Sequence, residues 1–190
     1  ITTAAGDVGV FQSTGSNTVQ CISYTKADGT GVVSSGGITL GTSQATASGT
    51  AIDFTGIPSG TKRITMNLTG VSTDGVNPMV IQIGDSGGVE TSGYVGSVFS
   101  DVGHNNSAQG FQVSHSGVAA ALWNGTVIMT LVDSANFSWV SMTSTGSTGD
   151  VDASAGGGSK SLSAELTQVR LTSEGTPDDF DAGKVNITYE

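Results

Sequence analysis

The chain has 190 residues, of which 29 are Gly, 26 Ser and 25 Thr, against only six Lys plus Arg, and its formal charge is −10. Seven Leu and four Glu are too few for a helical bundle or coiled coil, and a strongly acidic balance excludes an ordinary nucleic-acid binder, which presents a basic surface. No run of 18 apolar residues is present, so no segment reads as a membrane-crossing helix.

Abundant Gly and Ser also mark disordered chains, but 36% of the residues are hydrophobic and β-branched types recur along the sequence, which points to a folded β protein. The first 42 residues stand apart. Their apolar residues come singly or in short runs (Val8, Val10, Phe11; Val32, Val33; Ile38, Leu40), too few to close a core alone. Weak strand patterns lie at 18–25, 37–42 and 50–54, and the single cysteine, Cys21, is expected as a buried thiol within the first of them. From residue 62 the alternation sharpens. Ile64, Met66 and Leu68 share one face of a strand while Arg63, Thr65, Asn67 and Thr69 share the other. Further strands are predicted at 78–84, 94–100, 109–115, 118–123, 126–133, 137–144 and 166–172. A last strand turns Val185, Ile187 and Tyr189 inward. No interval carries a helical pattern.

Asn124-Gly125 is the strongest two-residue turn signal in the chain, since type I′ turns need positive φ at both central positions. A hairpin closed there pairs Leu122 with Val127 and Ala120 with Met129 on a core face, and lifts Trp123 to a tip on the outer face. Phe54, Phe137, Trp139 and Tyr189 are expected in the core.

Three strings look like chemistry. Gly84-Asp85-Ser86-Gly87-Gly88 reproduces the surroundings of a serine nucleophile, but both histidines, His104 and His115, follow Ser86, the reverse of the trypsin-like order, and no helix follows for a nucleophile elbow. A surface turn is expected. Gly156-Gly157-Gly158-Ser159-Lys160-Ser161 lacks the glycine a phosphate loop needs before its lysine, and reads as a flexible loop. Asp150, Asp152, Asp178, Asp179 and Asp181 show no calcium-loop spacing and are expected in solvated turns. No catalytic residue, metal ligand or cofactor is therefore assigned.

The run Ser48-Gly49-Thr50-Ala51-Ile52-Asp53-Phe54-Thr55-Gly56-Ile57-Pro58-Ser59-Gly60-Thr61-Lys62-Arg63-Ile64-Thr65 resembles a family of bacteriophage tail-fibre and related virion fibre proteins. The resemblance continues through Gly70–Gly75, Val80–Gly84, Glu90–Tyr94, Leu166–Thr172 and Phe180–Glu190, and Gly9–Thr14 with Asn17–Gln20 resemble the junction between shaft and head. It covers nearly the whole chain and is thinnest over 99–124. It implies a non-enzymatic C-terminal head domain on the virion exterior that mediates attachment to the host surface, with a capsid fibre or decoration protein of structural role as the alternative. The expected architecture is an all-β, jelly-roll-like antiparallel β-sandwich over 43–190, carried on a Gly/Thr-rich junction over 1–42 that is intertwined in a homotrimer. Expected partners are two further copies, other virion proteins and a host glycan or protein, with no nucleic acid and no membrane insertion. Candidate receptor contacts are Trp123, whose ring at the tip either stacks on a hexose or packs against another subunit, Tyr94 beside the loop from Phe99 to Phe111, and His104 with Asn105, where His104 is either a solvated loop residue or a hydrogen-bond donor to a sugar hydroxyl.

Overall fold

A computed structural model describes residues 4–29, 37–101, 103–115, 117–119, 121–149 and 152–190. Strands take up 61% of these residues and helices none; accordingly, no helix among them is long and apolar enough to cross a membrane. The chain divides into two compact units after Gly37. That division falls five residues before the boundary read from the sequence, because the short strand at 39–40 pairs within the second unit.

The first unit is an antiparallel ribbon of β1 (Val8–Gly15) and β2 (Thr18–Thr25). Asn17, at φ 63°, supplies the left-handed residue of its turn. At the open end the Asp7 carboxylate accepts from the backbone N–H of Ala4 (2.8 Å) and of Ala27 (2.9 Å) and from the Tyr24 hydroxyl. Two strands make no core, so Val8, Val10, Phe11, Val19 and Ile22 remain 55–68% exposed. For the same reason Cys21 is only partly covered, which corrects the expectation of a buried thiol. Val32 and Val33 lie outside the described residues.

The clasp predicts a pH window. The Tyr24 hydroxyl, together with the Ala4 and Ala27 N–H groups, holds the Asp7 carboxyl below its ordinary 3.8, and the same bond pushes Tyr24 up to about 12. A depressed acid contributes stability that is complete above its unfolded value and lost as pH falls through its folded value. A raised phenol contributes stability that is complete below 10 and lost as pH rises through about 12. The ribbon's open end is therefore closed from about pH 4 to 10 and opens on either side, which the NMR signals of the Tyr24 ring report.

The second unit is an antiparallel β-sandwich. In chain order its strands are β3 (Thr39–Leu40), β4 (Gln44–Ala45), β5 (Ala51–Thr55), β6 (Arg63–Thr73), β7 (Met79–Asp85), β8 (Gly88–Val89), β9 (Val95–Ser100), β10 (Gly103–Ser107), β11 (Phe111–Gln112), β12 (Leu122–Asp133), β13 (Ser138–Thr148), β14 (Ala153–Ser161), β15 (Gln168–Ser173) and β16 (Phe180–Tyr189). The larger sheet runs β10-β9-β14-β13-β12-β6-β16-β3, with β4 also on β16; the smaller runs β11-β7-β15-β5, with β8 on β7. The chain crosses between the sheets repeatedly, as at β5 to β6, β6 to β7 and β15 to β16. The alternating faces meet as anticipated: Ile64, Met66 and Leu68 of β6 and Val185 and Ile187 of β16 share one core with Ile52, Phe54, Ile81, Ile83, Val169 and Leu171 of the smaller sheet. Trp139 is buried in it, and Phe137 and Tyr189 pack against it.

On the smaller sheet, Arg170 of β15 grips Asp53 of β5 through two bonds, Nε to Oδ1 at 2.7 Å and Nη2 to Oδ2 at 2.8 Å. Both side chains are about a third exposed or more, so water screens the pair. Arg170→Lys loses the paired geometry and costs at most about 1 kcal/mol in a denaturant titration, less at high salt.

Two expectations about the strands of the second unit are overturned. The first is the hairpin at Asn124-Gly125. β12 runs unbroken through it, pairing with β13 along its whole length and with β6 across a bulge between Trp123 and Gly125. The Asn124 side chain accepts from the N–H of Gly70 in the bulged stretch of β6 (Oδ1, 2.9 Å), and Gly125 is where β13 comes close: a Cβ there would meet the Ser144 carbonyl and lie 2.7 Å from the Thr145 Cα. In a continuous strand Leu122 and Val127 have opposite parity, so Trp123, not Leu122, shares the core face with Val127 and Met129. Trp123 is 2% exposed and Leu122 is 39% exposed.

The second is the triple-glycine loop. Residues Gly156, Gly157 and Gly158 lie inside β14, a central strand between β13 and β9. A Cβ at Gly157 would stand 2.7 Å from the Ser141 carbonyl oxygen, and one at Gly158 would stand 3.0 Å from that of Val95. The glycines allow close approach of neighbouring backbone and are not a hinge.

Candidate functional site

Of the four residues expected to touch a receptor, two are buried. Trp123 lies in the core for the reason of parity given above. Tyr94, 3% exposed, points its hydroxyl inward, where it accepts from the Ile83 N–H at 2.8 Å and donates to the Glu90 carbonyl at 2.9 Å. Its ring meets Phe111 edge-on, with centroids 5.1 Å apart, and the Lys160 ammonium stands 5.4 Å from its centroid while pairing with Glu90. Burial drives the phenol pKa upward. Both rings belong to the core, and Tyr94 also borders a depression along β9. His104 and Asn105 lie on the edge strand β10, not in a loop. His104 is exposed; Asn105 is half-buried and its Nδ2 donates to the His115 carbonyl at 3.3 Å. The structure therefore does not gather these four into one surface.

The serine string forms the tight turn expected of it, with Asp85 opposite Gly88 and Ser86 exposed. Asp85 accepts from the Ser163 hydroxyl (2.6 Å) and the Gly87 N–H (2.7 Å), which lower its pKa, the hydroxyl most. Among the acidic residues, Asp178 accepts from the N–H and the Nδ2 of Asn77 and locks a turn. Asp152 departs from expectation. It is 7% exposed, and neither carboxylate oxygen has a hydrogen-bond partner. Asp150 lies outside the described residues, and among those described no three acidic, His or Cys side chains form a group that could hold a metal ion.

A concave site does exist, at one end of the sandwich, where three loops converge. The first follows β5 (56–62), the second joins β12 to β13 (134–137) and the third joins β14 to β15 (162–167). Together they enclose a cavity of about 280 Å³. Its floor is apolar: Leu131, Phe137, Trp139 and Leu166; its rim is polar: Lys62, Ser134 and Glu165. Local bonding fixes the rim. Glu165 accepts from the Gly60 N–H at 2.7 Å and from the Ser59 hydroxyl at 2.8 Å, bonds that hold its carboxyl below the usual range, the Gly60 N–H contributing most. Asp133 accepts from the Ala135 N–H at 2.8 Å and from Asn136 Nδ2 at 2.7 Å, shaping the turn that delivers Phe137. Phe137 itself has φ 47°, a left-handed conformation that a bulky side chain rarely adopts. The Trp139 Nε1–H is buried without an acceptor.

The sequence reading placed Phe137 and Trp139 in the core and did not see the cavity they floor. Their signal was present only as an aromatic pair two apart beside Asp133-Ser134-Ala135-Asn136, a turn-forming run. A second depression, about 570 Å³, is lined by Tyr94, Val95, Ser97, Asn106 and Gly157. No protein-family model matches the chain, and no curated protein or solved structure matches it.

Proposed function

We propose that this chain is the distal part of a virion fibre, a bacteriophage tail fibre, which attaches the particle to the host cell surface as a homotrimer and catalyses no reaction. The observation that carries the reading is the division of labour between the two units. The second is a closed sandwich whose three converging loops form a concave, rigidly bonded end. The first is a two-stranded ribbon that cannot be stable alone and leaves five large apolar side chains in water. Strand residues 8–15 and 18–25 include no Asp, Glu, Lys, Arg or His. In a chain of charge −10, such an uncharged ribbon is where like-charged copies meet at least electrostatic cost. The sequence likeness to phage fibres supplies the biological setting.

Three copies give three identical sites, and several fibres per particle multiply them, so weak single contacts sum to firm attachment. A trimer carries about three times the charge of −10, so binding to an anionic cell envelope rests on local hydrogen bonds and stacking, with long-range attraction working against it. Light scattering on the 190-residue chain tests assembly: a mass near three times 18.9 kDa is expected, and a monomer or dimer sinks the trimer. Adsorption tests attachment: the purified chain is expected to compete with particles for the bacterium on which they grow.

A structural role as a capsid fibre or decoration protein is favoured by one observation. Val95, Phe99, Val140 and Met142 stand exposed on the outer face of the larger sheet, an apolar patch suited to lying against another virion protein. Antibodies against the chain that label particles yet leave adsorption intact select this second reading.

A further inference from the structure

We infer that the outer face of the larger sheet is where the sandwiches of neighbouring copies of this chain meet. The inference rests on the assembly half of the reading above and adds to it a second contact, made by the folded unit and independent of the ribbon. On β10, β9, β14, β13 and β12, which are neighbours in that order, the residues turned outward are 104 and 106, then 95, 97 and 99, then 155, 157 and 159, then 140, 142 and 144, then 126, 128 and 130. None of them is Asp, Glu, Lys or Arg, although the chain carries 16 acidic and six basic residues. On this face Val95 is 72%, Phe99 64%, Met142 56% and Val140 41% exposed. An apolar area of this kind is uncommon on a protein that stays alone in water.

Three features select a second copy as its cover. The first is charge. An acidic chain that recognised a foreign partner by charge would meet it with carboxylates, whereas interface cores shed charge, and two chains of −10 approach at least cost where neither presents any. The second is relief. Phe99 and Met142 stand out beside residues that cannot, their cross-strand neighbours on β14 being Ala155 and Gly157, and the depression bordered by Val95, Ser97 and Gly157 lies in the same face. Projection and recess on one surface let side chains of one copy enter the recess of the next, the head-to-tail contact from which a closed ring of three is built. The third is size. Five strands about 4.8 Å apart, with about five residues of each at roughly 3.4 Å, make a face of roughly 24 by 17 Å, about half of the ~800 Å² that one partner gives to a stable interface before side-chain relief is counted. That suits a contact that works together with the ribbon.

Methionine supplies the probe. Met66, Met79 and Met129 are at most 2% exposed, and Met142 alone of the four stands in water in a single copy. The intact chain, labelled with carbon-13 at its methionine methyls, is titrated with a neutral gadolinium chelate, which broadens the NMR signal of any methyl it can approach; the Met142 signal is assigned by its loss in Met142→Leu. Expected in the assembled chain is a Met142 signal that survives the chelate as the three core methyls do. Phe99→Glu and Val140→Glu each set a carboxylate against the neighbouring copy. In each, the Met142 signal is lost to the chelate while the core signals persist and report a folded sandwich. A Met142 signal lost in the unaltered chain, or one that survives in a variant whose core signals persist, overturns the inference. Light scattering keeps the two readings apart. Trimers with an accessible Met142 remove this face and keep the trimer; dimers with a protected Met142 keep the face and remove the trimer. A methyl accessible in the purified chain but protected on intact particles gives the patch to another virion protein, the cover that a structural role requires, and overturns the inference as well.

Discussion

Gly156→Val unfolds the sandwich or lowers its stability by at least about 3 kcal/mol, the upper end for overpacking. A Cβ at this position falls on the carbonyl oxygen of Ser97 and lies 2.6 Å from the Cα of Val98 and 2.9 Å from its Cγ1. Two of these three neighbours are backbone atoms of β9, which cannot turn aside as a side chain can. Only a separation of β14 from β9 makes room, and β10 is attached to the sheet through β9 alone. Gly146→Ala is the control. It lies on the adjacent strand of the same sheet, and its added Cβ meets only the Asp152 carbonyl, at an ordinary 3.6 Å. It is expected to stay within about 0.5 kcal/mol of the parent. Urea titrations of the two variants compare them directly. Equal midpoints would mean that 156–158 are a pliable loop and not a packed strand.

Trp123→Ala costs about 3–5 kcal/mol in the same titration, the range for truncating a buried aromatic. The ring is among the largest fully buried side chains of the molecule, and its strand is paired on both sides, opposite Ser147 and Val71. No other strand can slide to refill the space. A tryptophan at an exposed hairpin tip would behave otherwise: truncation there would leave stability within about 0.5 kcal/mol and reduce only binding. The experiment thus decides between the turn signal of Asn124-Gly125 and the strand that the structure places there.

That local signal misled for a physical reason. Asn-Gly favours a turn because both residues tolerate positive φ, but Gly125 uses its φ of 136° to let β13 approach, and Asn124 uses its side chain to satisfy a bulge in a strand 54 residues away in sequence. The same two residues serve a turn or a bulge equally well, and a distant partner chose. One consequence then propagated: reversing the chain at 124–125 inverted the parity of Leu122 and Trp123 against Val127, and a core residue was read as a receptor contact. For Gly156-Gly157-Gly158 the error had a similar source. Glycine reports that a side chain is not tolerated, and only the neighbours show whether the reason is freedom or crowding.

Where the pattern belonged to one strand, the sequence was sufficient. The alternation of Ile64, Met66 and Leu68, and that of Val185 and Ile187, predicted the inner faces of β6 and β16, since period two has a single geometric meaning once one face is dry. Composition excluded helices, and the tight turn at Ser86-Gly87 followed from the lack of any helical pattern after it. The end cavity was not legible. Its floor residues, Leu131, Phe137, Trp139 and Leu166, come from a strand, a turn, a second strand and a distant loop, and Glu165 reaches the rim across 105 residues of sequence to Gly60. The sequence by itself determined that the chain folds into strands and which face of each cleanly alternating strand avoids water, because period two has one geometric meaning within a single segment. Only the tertiary structure decided which strands are neighbours, which glycines are crowded and which loops enclose a common space, because each depends on contacts between segments that carry no mark of one another.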